Sequence, residues 1–256
     1  MACWVRFRNR DGAVQFGTLE GEAVSVFSGD MFAGPTASGQ SVPLAEVELL
    51  TPSTPSKFIA LWNNYRALAE KLQQAIPPEP LYFLKAPSSY LGHGGSIRRP
   101  AGYEGKVIFE GELGIVIGQR TTAASAEEAA AAIFGFTCIN DVTALDTLSK
   151  DPSFAQWTRA KGHDTFGVFG PGIATGLDAA TLVVKTLMGG RERQNYPCAD
   201  MVFAPAEIVR LVSHDMTLEP GDVIACGTSL GVAPMKPGVE VSVVIEGVGT
   251  LTNTFA

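Results

Sequence analysis

Over most of its length the chain changes between apolar and polar positions with a short period. In the first fifty residues "WVRFR", "AVQFGTLE" and "AVSVFSG" are separated by Gly, Asp and Asn, which predicts antiparallel hairpins. From 138 onward "CINDVT", "FGVFGP", "LVVKTLMGG", "GDVIACGT" and "VEVSVVIEGVGTLTNTF" are again short, β-rich and bounded by Gly or Pro. Helical spacing is rarer. "NNYRALAEKLQQAI" repeats Tyr65, Leu68, Leu72 and Ile76 and stops at "PPEP", which cannot continue a helix. "SAEEAAAAIFGFT" offers Ser125 as N-cap with acidic residues behind it, and "APAEIVRLVS" is amphipathic. "LYFLK" predicts a strand and "GHGGSIRRPAG" a Gly-rich loop.

The Pro/Ser/Thr-rich stretch "TPSTPSK" at 51–57 predicts a linker. It divides the chain into a small N-terminal β domain, 1–52, and a larger β-rich α+β domain, 53–256.

One strand is unusual. "KVIFEGELGIVIG", a long strand or a bent pair, carries Glu110 and Glu112 inside an apolar run. Residues two apart on a strand share a face, so the two charges stand side by side. Alternation alone allows both to face solvent, with Leu113, Ile115 and Ile117 buried opposite. If they are buried instead, protons or a cation must offset their repulsion and desolvation. Asp141 ends the apolar strand "CIND", where a loop can turn it back toward the pair. "ND" is equally a turn signal. Three oxygen donors without a nearby His or Cys in sequence suit Mg²⁺ or Mn²⁺ and disfavour zinc.

Composition narrows the partners. The 256 residues are 46% hydrophobic, enough for a sizeable core, and 26 acidic against 19 basic residues give a net charge of −7. Neither nucleic acid nor an anionic membrane is an expected partner. "MACWVRFRNRDG" lacks the apolar core of a signal peptide, and no window reaches the ~18 apolar residues of a membrane span, so a cytoplasmic protein is expected. Four scattered cysteines without a CxxC pair are expected to be reduced and mostly buried.

"EGELGIVIG", "NDVTALD", "QWTRAKGHDTFG", "MTLEPGDVIACGTSLGV" and "IEGVGTLTN" occur in the order and spacing of the fumarylacetoacetate hydrolase family, which the chain resembles over 57–256. The resemblance implies a mixed β-sheet roll and a homodimer. It implies Glu110, Glu112 and Asp141 as ligands to Mg²⁺ (or Mn²⁺), Lys161 as the active-site lysine and Thr228 as a substrate contact, with Gln156 and Gly227 beside them. The implied substrates are small 2-oxo, 2,4-dioxo or enol acids, cleaved hydrolytically at a C–C bond through a metal-stabilised enolate. Gly227 lets backbone approach a ligand, and Gly231 accepts a positive φ.

The chain also departs from the family pattern. Many hydrolytic members carry a water-activating His and Glu in the helix after "NY"; here Leu68 and Lys71 stand at those positions, and Glu70 lies one residue off. The family's "TARD" is "TALD", with Leu145 for the arginine, and Ser229 replaces the proline after the threonine, which is expected to loosen that turn. Of the three histidines, His163 follows the Lys161 motif and is the expected catalytic imidazole. His93 reaches the substrate only if its glycine loop folds inward, and His214, near a helix end, is expected to be structural. Hydrolysis needs an activated water, whereas isomerisation and decarboxylation need mainly a metal and a proton donor. Hydrolysis, the family's leading activity, remains the first reading by a narrow margin, isomerase or decarboxylase activity is the second, and a catalytically silent metal-binding relative the third.

Overall fold

The computed structural model describes residues 2–256. β1 (Cys3–Arg8), β2 (Val14–Glu20), β3 (Ala23–Ser28) and β4 (Thr36–Pro43) form the expected hairpins, and β5 (Glu48–Leu49) returns to pair with β1. They enclose a small core of Val5, Phe7, Val24 and Val26.

The larger region follows as β6 (Phe58–Trp62), α1 (Arg66–Leu72), β7 (Leu81–Lys85), β8 (Tyr90–Leu91), β9 (Ser96–Ile97), β10 (Val107–Phe109) and β11 (Gly111–Ile117). Next come α2 (Ala126–Ala131), β12 (Ile133–Asp141), β13 (Thr143–Ala144), α3 (Leu145–Leu148), α4 (Trp157–Lys161) and β14 (Gly167–Ala174). The chain ends with β15 (Val183–Met188), β16 (Arg191–Pro197), α5 (Pro205–Asp215), β17 (Val223–Ala225), β18 (Ala233–Pro234), β19 (Glu240–Ile245) and β20 (Gly249–Phe255).

The strands form a β-rich α+β fold of mixed sheets. The main sheet runs β4-β3-β2-β1-β14-β12-β11-β17-β6-β7, so β1 splices the N-terminal hairpins onto the larger region through β14, with Cys3 opposite Ala174. A five-stranded sheet, β16-β15-β19-β20-β9, and a short one, β13-β10-β18, complete it. The β6–β17, β8–β14 and β9–β20 pairs are parallel and the other pairs antiparallel.

β11 lies at the centre. Leu113, Ile115 and Ile117 pack with Val184, Val243 and Ile208 on one side, while Val116 packs with Ile139, Phe169 and Val223 on the other. Every residue of β11 is buried, so the solvent-facing reading of Glu112 does not hold. A central strand covered on both faces needs apolar residues at every position, which is why alternation misleads there.

Three local expectations change. α1 ends at Leu72, where Gln73 turns left-handed (φ 54°), so Ile76 lies outside the helix and is exposed. α2 keeps the Ser125 cap, with Glu128 completing a capping box, but stops at Ala131. "IFGFT" joins β12, because pairing between β11 and β14 outweighs the helical preference of the alanine run. The 51–57 segment is anchored rather than free: Ser53 Oγ donates to the Gly221 carbonyl (2.8 Å), and Ser56 Oγ to Asp222 (2.7 Å).

Candidate active site

Glu110 sits in the break between β10 and β11, which belong to different sheets. That bend, together with the end of the antiparallel β11–β12 ladder, brings the three acids together. Asp141 N donates to the Glu110 carbonyl (2.8 Å), and Asn140 opposes Gly111. Oxygen atoms of Glu110, Glu112 and Asp141 lie within 4.8 Å of one another. Glu112 and Asp141 are fully buried; Glu110 is slightly exposed.

Two lysines offset part of the cluster's negative charge. Lys161, the last residue of α4, donates to Asp141 Oδ2 (2.5 Å) and Glu110 Oε2 (2.8 Å). Lys85, at the end of β7, pairs with Asp141 Oδ1 from another direction and is also fully buried. Burial pushes the Asp141 carboxyl up, but Lys161 and Lys85 outweigh it and hold the group below the usual carboxylate range. Burial opposes charge on Lys161 too, yet Asp141, Glu110 and Glu112 together raise its pKa. At Lys85 burial prevails over Asp141, and the like charge of Lys161 adds to it, so its pKa is lowered.

Glu112 is different. Burial, and then the charge of Asp141, raise it well above the ordinary carboxylate value. Its Oε2 accepts from the Gly227 N–H (2.8 Å), while Oε1 is buried without a hydrogen-bond partner. An orphaned, proton-hungry carboxylate oxygen among all-oxygen donors fits a hard divalent cation. Glu110, Glu112 and Asp141 could hold one.

Gly111 is backbone to the site and cannot be larger. A Cβ there would lie 2.0 Å from Thr186 Oγ1. The gap is used by Gln194, whose Oε1 accepts from Gly111 N (3.0 Å) and Thr186 Oγ1 (2.9 Å). Gln194 Nε2 donates to Thr228 Oγ1 (2.9 Å) and the Ser229 carbonyl (3.2 Å), and Thr228 Oγ1 donates to the Gly111 carbonyl (3.0 Å). Ser229 is thus buried in a pinned turn, not a loosened one. Gly227 and Gly231 both have positive φ, 88° and 100°, and a Cβ at Gly231 would strike the Arg193 carbonyl.

The structure therefore brings Glu110, Glu112, Asp141, Lys161, Gly227 and Thr228 together. His163 lies half-buried and edge-on to the Phe166 ring (5.3 Å) in a cleft with Arg98 and Arg99; burial, and then Arg159, lower its pKa. Gln156 precedes α4 and donates to the Phe154 carbonyl (3.1 Å). His93 accepts from Thr252 N (3.1 Å) and lines a cleft beside the N-terminal strands. None of these three makes a hydrogen bond to the carboxylates among the described residues. Leu68 belongs to the core, and Lys71 and Glu70 are exposed. His214 Nε2 lies 3.2 Å from the Ala124 carbonyl, tying α5 to the loop before α2.

Lys85, Thr143, Gln194 and Tyr196 were not foreseen. Thr143 Oγ1 donates to Glu110 Oε1 (2.9 Å), and Tyr196 Oη to the Gly111 carbonyl. Lys85 alone left a signal: it shares the buried face of β7 with Phe83, two residues away.

The family model "Fumarylacetoacetate (FAA) hydrolase C-terminal" matches residues 57–256, and an Rv2993c-like N-terminal model matches 4–52. The chain belongs to the fumarylacetoacetate hydrolase family. It is an enzyme of that family, whose characterised relatives include isomerases, decarboxylases and hydrolases. A crystal structure of 2-hydroxyhepta-2,4-diene-1,7-dioate isomerase from Mycobacterium marinum superposes with TM-score 0.91 at 39% identity, covering 100% of this chain and 98% of that one. Oxaloacetate tautomerase YisK of Bacillus subtilis is 34% identical across 82% of this chain and 73% of its own. Maleylpyruvate hydrolase from Sphingobium sp. SYK-6, solved with manganese(II) and pyruvate, matches with TM-score 0.80 at 27% identity, covering 100% and 99%. Among the described residues no helix is long and apolar enough to cross a membrane.

Proposed function

We propose that this family member moves a proton on a small 2-oxo acid, as a keto–enol tautomerase or double-bond isomerase, with decarboxylation as a related outcome. One observation carries the reading: two buried ammonium groups, Lys85 and Lys161, meet the carboxylate cluster, while no imidazole among the described residues contacts it. The positions that hold a water-activating dyad in many hydrolytic relatives carry a core leucine and an exposed lysine. The tautomerase and isomerase relatives support the same reading.

Glu110, Glu112 and Asp141 would hold Mg²⁺ or Mn²⁺, a Lewis acid that draws electron density from a 2-oxo group when bound. Lys161 would place its charge beside a developing enolate oxygen and hold or return the proton. Lys85 keeps Asp141 ionised, while Thr228 and the Gly227 backbone shape the substrate side. His163 and Gln156, which make no hydrogen bond to the carboxylates, are given no part in the proton transfer.

Hydrolytic C–C cleavage is the second reading, favoured by the hydrolase among the solved relatives. Enol absorbance, carbon dioxide and pyruvate, followed separately on oxaloacetate and an acylpyruvate with each metal, distinguish the two. Enol–keto conversion is expected to be fastest; acylpyruvate cleavage outrunning it would overturn the proposal.

A further inference from the structure

We infer that a cleft between the N-terminal strands and the Gly92–Gly95 loop binds a small organic oxyanion, a carboxylate or phosphate carrying a hydrocarbon part, through Arg6. The cleft encloses about 740 Å³, within the range of small-molecule sites, and nothing in the proposed reaction uses it.

Its charge is unbalanced. Arg6 and Arg8, two apart on β1, both line it. Arg8 is satisfied: its Nε lies 3.3 Å from Glu48 Oε2, and its Nη1 donates to the Gly12 carbonyl (3.1 Å). Arg6 donates one N–H, from Nη1 to the Thr51 carbonyl (3.3 Å), and has no carboxylate partner among the described residues. A guanidinium carries five N–H donors in a planar fork that matches an oxyanion. Arg6 is half-buried, so burial, and then the like charge of Arg8, weigh against its ionised form. An incoming anion offsets both by pairing with the guanidinium. With Glu48 counted, Arg6 and Arg8 leave one net positive charge.

The remaining walls define the rest of the ligand. Leu44, Val47, Leu49 and Leu91 with the ring of Tyr90 are apolar, suited to a hydrocarbon chain or ring and poorly suited to inorganic phosphate alone. The glycine loop that forms one wall is fixed in place. Gly92 lies so close to the linker backbone that a Cβ would meet Thr51 N at 3.1 Å, and Thr252 N fixes His93. Beyond the loop, β8 pairs with Gly167 of β14, which stands opposite Asp141. One wall of the cleft is thereby two strands from the carboxylates, without sharing a residue with them.

Titration calorimetry on the full chain tests the site, with hexanoate, phenyl phosphate and inorganic phosphate as probes. The unaltered protein and Glu112→Gln are expected to bind an organic anion alike, Arg6→Gln to bind it about tenfold more weakly or not at all, and Arg6→Lys to fall between. Turnover by Arg6→Gln without the anion should match that of the unaltered protein, and circular dichroism shows whether the variant is folded. Absence of saturable binding would overturn the inference. So would binding that survives Arg6→Gln but disappears in Glu112→Gln, since the ligand then occupies the carboxylate site. Inorganic phosphate binding as tightly as the organic anions would remove the apolar walls from the claim and overturn it in that form.

Discussion

Gly111 and Thr186 approach so closely that a methyl group on Gly111 would overlap Thr186 Oγ1 at 2.0 Å. The residue between the two acids is therefore glycine for packing reasons, and the site's geometry depends on it. Gly111→Ala is expected to cost about 1–3 kcal/mol from overpacking, read from urea denaturation. Thr186→Ala should relieve part of that cost, giving a double variant more stable than the sum of the single effects. Additive effects would mean the contact is not what excludes a side chain.

Glu112 should make metal-free stability depend on pH. Its pKa is raised in the folded chain, so the protein loses stability as pH climbs from the ordinary carboxylate value through the raised one. Asp141, held low, acts in the opposite sense: its contribution is present above its ordinary value and is lost on acidification. Glu112→Gln is expected to raise the metal-free melting temperature at neutral pH and to abolish the increase that Mg²⁺ gives the unaltered protein. Melting curves from about pH 5 to about pH 9, with and without Mg²⁺, provide the check. A variant that melts lower than the unaltered protein without metal at neutral pH would contradict the assignment of buried, unrelieved charge.

Lys85→Met removes one of two ammonium groups from Asp141 and leaves the carboxylate under-compensated. Breaking one partner out of a buried pair typically costs about 3–5 kcal/mol, so a loss of that size is expected together with a steep fall in turnover. Adding Asp141→Asn should restore much of the stability and none of the activity. Recovery of both would show that Lys85 has only a structural role.

Gln194→Ala strands the Gly111 N–H and frees Thr228 from one of its anchors. A stability loss of about 1–3 kcal/mol is expected for the unsatisfied donor. With Thr228 on the substrate side, as proposed, KM should rise more than kcat falls. Unchanged KM would detach Thr228 from substrate binding.

Asp222→Ala removes the acceptor that ties down 51–57: Asp222 takes hydrogen bonds from Ser56 Oγ, Lys57 N and Glu219 N and pairs with Lys57. Limited proteolysis should then cut within 51–57 in the variant and leave the unaltered chain intact there. Equal cutting in both would mean the anchor is not what protects the segment.

Local chemistry was readable along the chain. The hairpins of the first fifty residues follow from period-two alternation, the Ser125 cap from its own side chain with Glu128, and the positive φ at Gly231 from a turn that admits little else. The three acids stood out as charges at apolar strands, but alternation allowed the glutamates to face solvent and Asp141 to be a turn residue; the family resemblance, with its motifs around Lys161 and Thr228, is what joined them into one site. What only the tertiary structure decided is contact between residues far apart in sequence. Lys85 meets Asp141 across 56 positions, and Gln194 meets Gly111 across 83; neither partner's local pattern specifies the other. His163, two residues past the end of α4, packs edge-on against Phe166, a contact its place beside the lysine motif does not specify. The burial of β11 on both faces depended on which strands flank it, and pairing partners are chosen by the whole sheet rather than by one strand's pattern of apolar residues.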